Sequence, residues 1–154
     1  MAKFEKLGLG GTFDRLHSGH KLILDLASHY SEYIQIGLIS EKYLHNHPKV
    51  LGDRILPFSE RHLALENYFK SRNNRCSIVK IDSLGQDGQI ASKSDLLALL
   101  VSQETYSGAL AINRERNMLK KSPLILILSA IVTTNKGTKL SSSKIRKELF
   151  EKES

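Results

Sequence analysis

The chain has 154 residues, 40% of them hydrophobic and 25% charged, which favours a single globular domain over 1–154 that can bury roughly two-thirds of its unfolded surface without staples. Cys76 is the one cysteine, so an internal disulfide is excluded and a reducing cytoplasm is the expected setting; the longest apolar run, 124–132, is broken by Ser129 and falls far short of the about 20 residues of a membrane span. The formal net charge of +7 suits solubility, and equally an anionic partner such as nucleotide phosphates or nucleic acid.

The N-terminus, Met1-Ala2-Lys3-Phe4-Glu5-Lys6, is charged and has no apolar stretch behind it, so no secretory signal is expected. A strand reads over 4–10. A helix follows over 18–28, with Leu22, Ile23, Leu26 and Ala27 sharing one face by 3.6-residue spacing. A second strand reads over 33–39. Pro57 introduces a helix over 59–70 with Ser59 as the expected N-cap. Further strands read over 77–81, 96–101 and 124–128, with a helix over 105–120 between the last two. A final helix begins near Ser141, Ser142 and Ser143 and carries Ile145 and Leu149 at i, i+4. The polar stretches 41–56 and 82–95 read as long loops.

Strands alternating with helices imply a Rossmann-like, doubly wound α/β fold, a five-stranded parallel sheet with helices on both faces. Ligands of such sheets sit outside the carboxyl ends of the strands, at the point where strand order reverses. Chemistry is therefore expected just after Gly10, Ile39, Val101 and Leu128.

The stretch from Gly10 to His20 carries the strongest signal. Gly10 and Gly11 let a backbone approach a ligand closely. They do not form a dinucleotide fingerprint, because Phe13 stands where Gly8-Leu9-Gly10 would need a third glycine. His17 and His20 stand three apart at a helix start, with Gly19 between them leaving room for a ligand. Two imidazoles beside the partial positive charge and free N–H groups of a helix N-terminus suit a phosphate. The same pair could ligate a metal, although no third ligand is evident and zinc needs at least three. They could also be surface or capping histidines.

Near the other end the chain reads Lys139-Leu140-Ser141-Ser142-Ser143-Lys144-Ile145-Arg146. One serine would serve as an N-cap; three hydroxyls flanked by Lys139, Lys144 and Arg146 suit a polyphosphate.

Gly10-Gly11-Thr12-Phe13-Asp14 followed by His17-Ser18-Gly19-His20 resembles the HxGH nucleotidyltransferase superfamily, and Leu140 to Arg146 resembles its second phosphate motif. The wording of the first motif through Lys21, including Arg15, is similar to the archaeal and eukaryotic type of phosphopantetheine adenylyltransferase. So are Val101-Ser102-Gln103-Glu104-Thr105-Tyr106, Asn113 with Arg116, and Pro57 with Glu60-Arg61, where Phe58 replaces a tyrosine. The likeness is weakest across 45–55 and 83–95, where an acceptor pocket could be built.

That resemblance implies transfer of the adenylyl group of ATP to 4′-phosphopantetheine, with release of pyrophosphate, as a step of coenzyme A synthesis. The sister reading is the same chemistry on FMN, nicotinamide mononucleotide or a polyol phosphate. It implies that His17 and His20 stabilise the α- and β-phosphates and that Thr12 and Ser18 lie near them. Gly10, Gly11, Phe13 and Gly19 complete that nucleotide-binding stretch. Ser141, Ser142, Ser143 and Arg146 would hold the β- and γ-phosphates, and Ser102 and Glu104 would meet adenine or ribose. Lys42, with Lys49 a weaker candidate, would hold the acceptor phosphate or the α-phosphate, and Thr12 and Arg15 would belong to the acceptor side. Mg²⁺ is expected with ATP, bridging phosphates rather than sitting in a protein cage. Aromatics at 6%, no tryptophan and dispersed basic residues argue against a nucleic-acid partner. A monomer is favoured.

Overall fold

Leu7 and Leu9 alternate with Gly8 and Gly10, and Ile34, Ile36 and Leu38 alternate with Gln35 and Gly37, the period of two that places apolar residues on one sheet face. The computed structural model, which describes residues 4–47, 54–83, 85–103 and 105–129, builds parallel strands from these segments. They are β1 (Phe4–Gly11), β2 (Ser31–Ile39), β3 (Arg75–Ile81), β4 (Ala98–Val101) and β5 (Ile125–Leu128). The order is β3-β2-β1-β4-β5 with every pair parallel, so the chain winds outward from β1 in one direction and then returns to wind in the other. The reversal falls between β1 and β4, as expected of a doubly wound sheet.

Helices α1 (Ser18–Tyr30) and α3 (Phe58–Lys70) cover one face. There Leu7, Leu9, Leu24, Ile34, Ile36, Leu65 and Phe69 form the larger core. The buried stripe of α1 uses Leu24 and Ala27, with Ile23 and Leu26 partly buried. Leu24 thus takes the place expected for Leu22. Helices α4 (Gln86–Lys93) and α5 (Tyr106–Met118) build a second core from Ala91, Leu96, Leu99, Val101, Ala109 and Leu124. All four residues of β4 are buried, with Ala98 and Leu100 in the first core and Leu99 and Val101 in the second. A strand enclosed on both faces explains its unbroken apolar run.

Gly8 marks the tightest approach on the second face. A Cβ there would lie 2.8 Å from Leu96 Cδ1 and 3.0 Å from Leu99 Cδ2. Gly8→Val is expected to lower stability by about 1–3 kcal/mol, the range for overpacking a filled core. Urea unfolding measures it, and an unchanged midpoint would mean that the two leucines give way freely.

Three expectations need correction. The stretch 41–56 opens with a helix, α2 (Glu41–Asn46), which Ser40 caps by accepting from the Tyr43 N–H. Ser40 itself is pinned because its N–H donates to the Ile81 carbonyl. The stretch 82–95 contains α4, which begins after Gly85 in the left-handed conformation, φ 82°. Ser59 does not cap α3. Pro57 is the N-cap, its carbonyl accepting from Glu60 and Arg61, and the Phe58 N–H goes to Glu41 Oε1 of α2 instead. Glu41 therefore supplies from another helix the acceptor that Ser59 was expected to offer. The helix expected from Ser141 lies outside the described residues.

Candidate active site

The β1–α1 loop runs from Thr12 to His17 and starts where β1 leaves the sheet beside β4. Phe13 and Arg15 are left-handed there, with φ 50° and 49°, a conformation that costs non-glycine residues energy unless the surroundings hold it. The Phe13 ring is buried in the larger core and would lie 3.2 Å from a Cβ at Gly11. Its ring is thus spent on packing, and its backbone faces the loop. Asp14 is fully buried; it accepts from Arg15 Nη1 at 2.9 Å and from the Leu56 N–H at 3.0 Å. Arg15 Nη1 also donates to the Arg54 carbonyl. The guanidinium expected to face an acceptor is therefore engaged in holding the loop to residues 54–56.

His17 and His20 do stand together, in a way that spacing alone did not reveal. His17 is the N-cap of α1: its Nδ1 accepts from the Gly19 N–H at 3.0 Å and the His20 N–H at 3.4 Å. His20 Nδ1 accepts in return from the His17 N–H at 3.4 Å, closing a capping box. The rings stack with centroids 3.8 Å apart and planes 23° from parallel. Two helix N–H groups expected to be free are thus taken by His17. Capping and phosphate contact are compatible, since each ring keeps its Nε2.

An Nδ1 that accepts is unprotonated, so in a neutral ring the proton sits on Nε2. Burial lowers the His17 pKa below its ordinary 6.5. Burial, then the neighbouring His17, lower that of His20 to about 3, with Asp14 pulling weakly the other way. The pair therefore presents two neutral N–H donors.

The carboxyl ends of β2 and β4 lie at the same edge of the sheet as the β1–α1 loop. Lys42 is exposed in the first turn of α2, directly after β2. Ser18 and Gly10 are exposed, while Gly11, Thr12 and Gly19 are half-buried. After β4, the Ser102 N–H donates to Thr105 Oγ1 at 2.9 Å and the Thr105 N–H donates to the Ser102 carbonyl, a local turn that leads into α5. Glu104, Lys49, Ser141, Ser142, Ser143 and Arg146 lie outside the described residues. Asn113 and Arg116 sit away from these ends. Asn113 holds the backbone of Leu124, and Arg116 donates to the carbonyls of Ser122, Ala91 and Ser94. Among the described residues no cluster of three His, Cys, Asp or Glu could hold a metal ion.

A cavity of about 590 Å³ opens on the second sheet face, between the strands and α4 and α5. Gly10 and Gly37, paired in register across β1 and β2, both line it, as do Ile81 and Val101 at the carboxyl ends of their strands and Gly85 at the start of α4. Gln35, Gln89, Thr105, Ser107 and Glu115 supply polar side chains to its lining. Sequence reasoning missed Gly37, Gln35, Gln89 and Glu115. The signal available was the poor likeness over 83–95, which here becomes the cavity wall carried by α4.

The model of the cytidylyltransferase-like family matches residues 9–148. The chain belongs to this family of nucleotidyltransferases. It is 40% identical over 153 residues to the phosphopantetheine adenylyltransferase of Pyrococcus abyssi, covering 98% of this chain and 94% of that protein. It is also 40% identical over 153 residues to the phosphopantetheine adenylyltransferase of Pyrococcus furiosus, covering 97% of this chain and 91% of the relative. Within the family it groups with these archaeal phosphopantetheine adenylyltransferases. A crystal structure of a protein with unknown function from Archaeoglobus fulgidus shares the fold with a TM-score of 0.69 and 30% identity, over 88% of this chain and 99% of that one.

Proposed function

We propose that this chain transfers the adenylyl group of ATP to 4′-phosphopantetheine, giving dephospho-coenzyme A and pyrophosphate. The observation that carries the reading is the near-full-length likeness to phosphopantetheine adenylyltransferases, within a family match that spans both phosphate motifs.

The acceptor phosphate is anionic near neutral pH, so the reaction needs no strong general base. An acceptor phosphate oxygen attacks the α-phosphorus, that P–O bond forms, and the bond from the α-phosphorus to the bridging oxygen breaks as pyrophosphate leaves. The protein's task is alignment and neutralisation of charge. The Nε2–H groups of His17 and His20 donate to the α- and β-phosphates. Gly10, Gly11 and Gly19 admit the triphosphate, with Thr12, Ser18 and the backbone of Phe13 beside it. Ser102 and Glu104 face adenine or ribose. Ser141, Ser142, Ser143 and Arg146 hold the β- and γ-phosphates, and Lys42 the acceptor phosphate. Arg15 acts on the acceptor side through its grip on the loop. Mg²⁺ would accompany ATP and would offset part of the phosphate charge that His17, His20 and Lys42 face.

The neutral pantetheine arm fits the cavity beside Gly10 and Gly37, where Gln35 and Gln89 can pair with its two amides. No helix among the described residues is long and apolar enough to cross a membrane. The reading places the protein in the cytoplasm, with ATP and phosphopantetheine as its partners.

Pyrophosphate release from ATP, Mg²⁺ and 4′-phosphopantetheine tests this, with CTP, FMN, nicotinamide mononucleotide and a polyol phosphate in parallel. Turnover with ATP and phosphopantetheine alone is expected. Preference for CTP, or for another acceptor, would overturn the assignment of the reaction.

A further inference from the structure

Arg61 lies in the first turn of α3 and is 1% exposed, an unusual place for a guanidinium. Its bonds go to backbone carbonyls of three separate segments. Nε donates to Leu56 at 2.8 Å. Nη1 donates to Ile39, the last residue of β2, at 2.7 Å and to Thr12, the first residue after β1, at 3.0 Å. A single nitrogen thus joins the two loops that leave the central strands. Burial lowers the Arg61 pKa, and the carboxylates of Glu41 and Asp14 work against that by favouring the charged form. Asp14 lies in the loop after β1 and Glu41 opens the helix after β2, and each is tied by a backbone N–H to the segment 56–58.

Nη2 of Arg61 is buried and has no partner among the described residues. A buried donor without a partner opposes folding, while an apolar side chain at this position would leave the carbonyls of Leu56, Thr12 and Ile39 without their donor. What the guanidinium provides that an apolar residue cannot is a fixed separation between Thr12 and Ile39. Thr12 enters the loop made tense by Phe13 and Arg15, and Ile39 leads through Ser40 into the helix that carries Lys42.

We propose that Arg61 is a positioning residue for adenylyl transfer, its buried fork holding the nucleotide side of the site at Thr12 in register with the acceptor side at Lys42. The proposal rests on the reaction assigned above. Lysine keeps the charge but lacks the fork and cannot bond all three carbonyls at once.

The test is steady-state kinetics of Arg61→Lys and Arg61→Met, with ATP binding measured separately by calorimetry. Misalignment should lower kcat by about 10²-fold in Arg61→Met and about tenfold in Arg61→Lys, with ATP affinity kept within about threefold. Asn74→Ala, at the opposite end of the sheet where Asn74 donates to the Ser31 carbonyl, should lower the melting temperature and leave kcat intact. Wild-type kcat in folded Arg61→Met would overturn the proposal. So would a loss confined to ATP affinity, which would make Arg61 a substrate contact. If Arg61→Met does not fold, Arg61→Lys decides on the same criteria. Should the wild type turn over another phosphorylated acceptor and not phosphopantetheine, the reaction assignment falls, and the Arg61 comparison is read with that acceptor.

Discussion

Replacing His20 by alanine is expected to lower kcat by about 10²–10³-fold, the loss typical of removing one preorganised donor to transition-state charge. ATP affinity should change much less, because the contact strengthens as negative charge builds on the phosphates. The variant also loses the weaker arm of the capping box, a cost of about 1 kcal/mol that leaves the fold intact. The geometry further predicts that the ring works as a neutral donor. Its Nδ1 accepts from the backbone and its pKa falls to about 3. A wild-type kcat/KM profile without a step near pH 6.5 attributable to His20 should result.

The same shift has a consequence for stability whose sign is fixed. In the unfolded chain His20 takes up a proton near pH 6.5, in the folded chain only near 3. The contribution is full above pH 6.5 and is lost as pH falls from there toward 3, because the unfolded state then binds the extra proton. Urea midpoints across that window should slope less in His20→Ala than in the wild type. Equal turnover of variant and wild type would remove His20 from the chemistry.

Asp14→Ala is the second large effect. It should cost about 3 kcal/mol, the lower end of the range for removing one partner of a buried ion pair, because Arg15 is partly exposed and water can take up some of its charge. For a chain of this length that is about 6–12 °C in Tm. The loss has three parts: an unpaired Leu56 N–H, a released Arg15, and a loop whose left-handed Phe13 and Arg15 are no longer held. Asp14→Asn retains an acceptor for Leu56 and should fall between the two. A Tm within about 2 °C of the wild type for Asp14→Ala would show that the loop is held by other contacts.

The parts of this molecule readable in the sequence are those written in one contiguous string. β1, the Gly10-to-His20 stretch and the start of α1 announce themselves because strand, loop and cap follow one another without interruption. The histidine pair was readable as a pair, and capping was one of the roles its spacing left open; what spacing could not show is that the rings stack and that both Nδ1 atoms go to the backbone. α2 and α4 were hidden because six and eight residues are too few to display a helical period. Their ends are held from far away, by the Ile81 carbonyl through Ser40 and by Arg116 on the carbonyls of Ala91 and Ser94. The cavity was hidden for a different reason. Its floor needs the register that sets Gly10 beside Gly37, and register is a property of two strands. Arg61 was visible as a letter in a motif, yet its partners are carbonyls, which every residue possesses.

The grip of Asn113 on Leu124 bears on the outer side of β5. β5 is the outermost of the described strands on its side of the sheet. Because the Ile125 N–H reaches inward to Leu97, the N–H and carbonyl of Leu124 point outward, as the free edge of a sheet does. Such an edge is a template on which a foreign strand can add itself, the first step toward aggregation. The Asn113 amide donates to that carbonyl and accepts from that N–H, at 3.0 and 2.7 Å. A side chain from α5 thus occupies the outward groups of Leu124, and an incoming strand would find that rung of the ladder already taken.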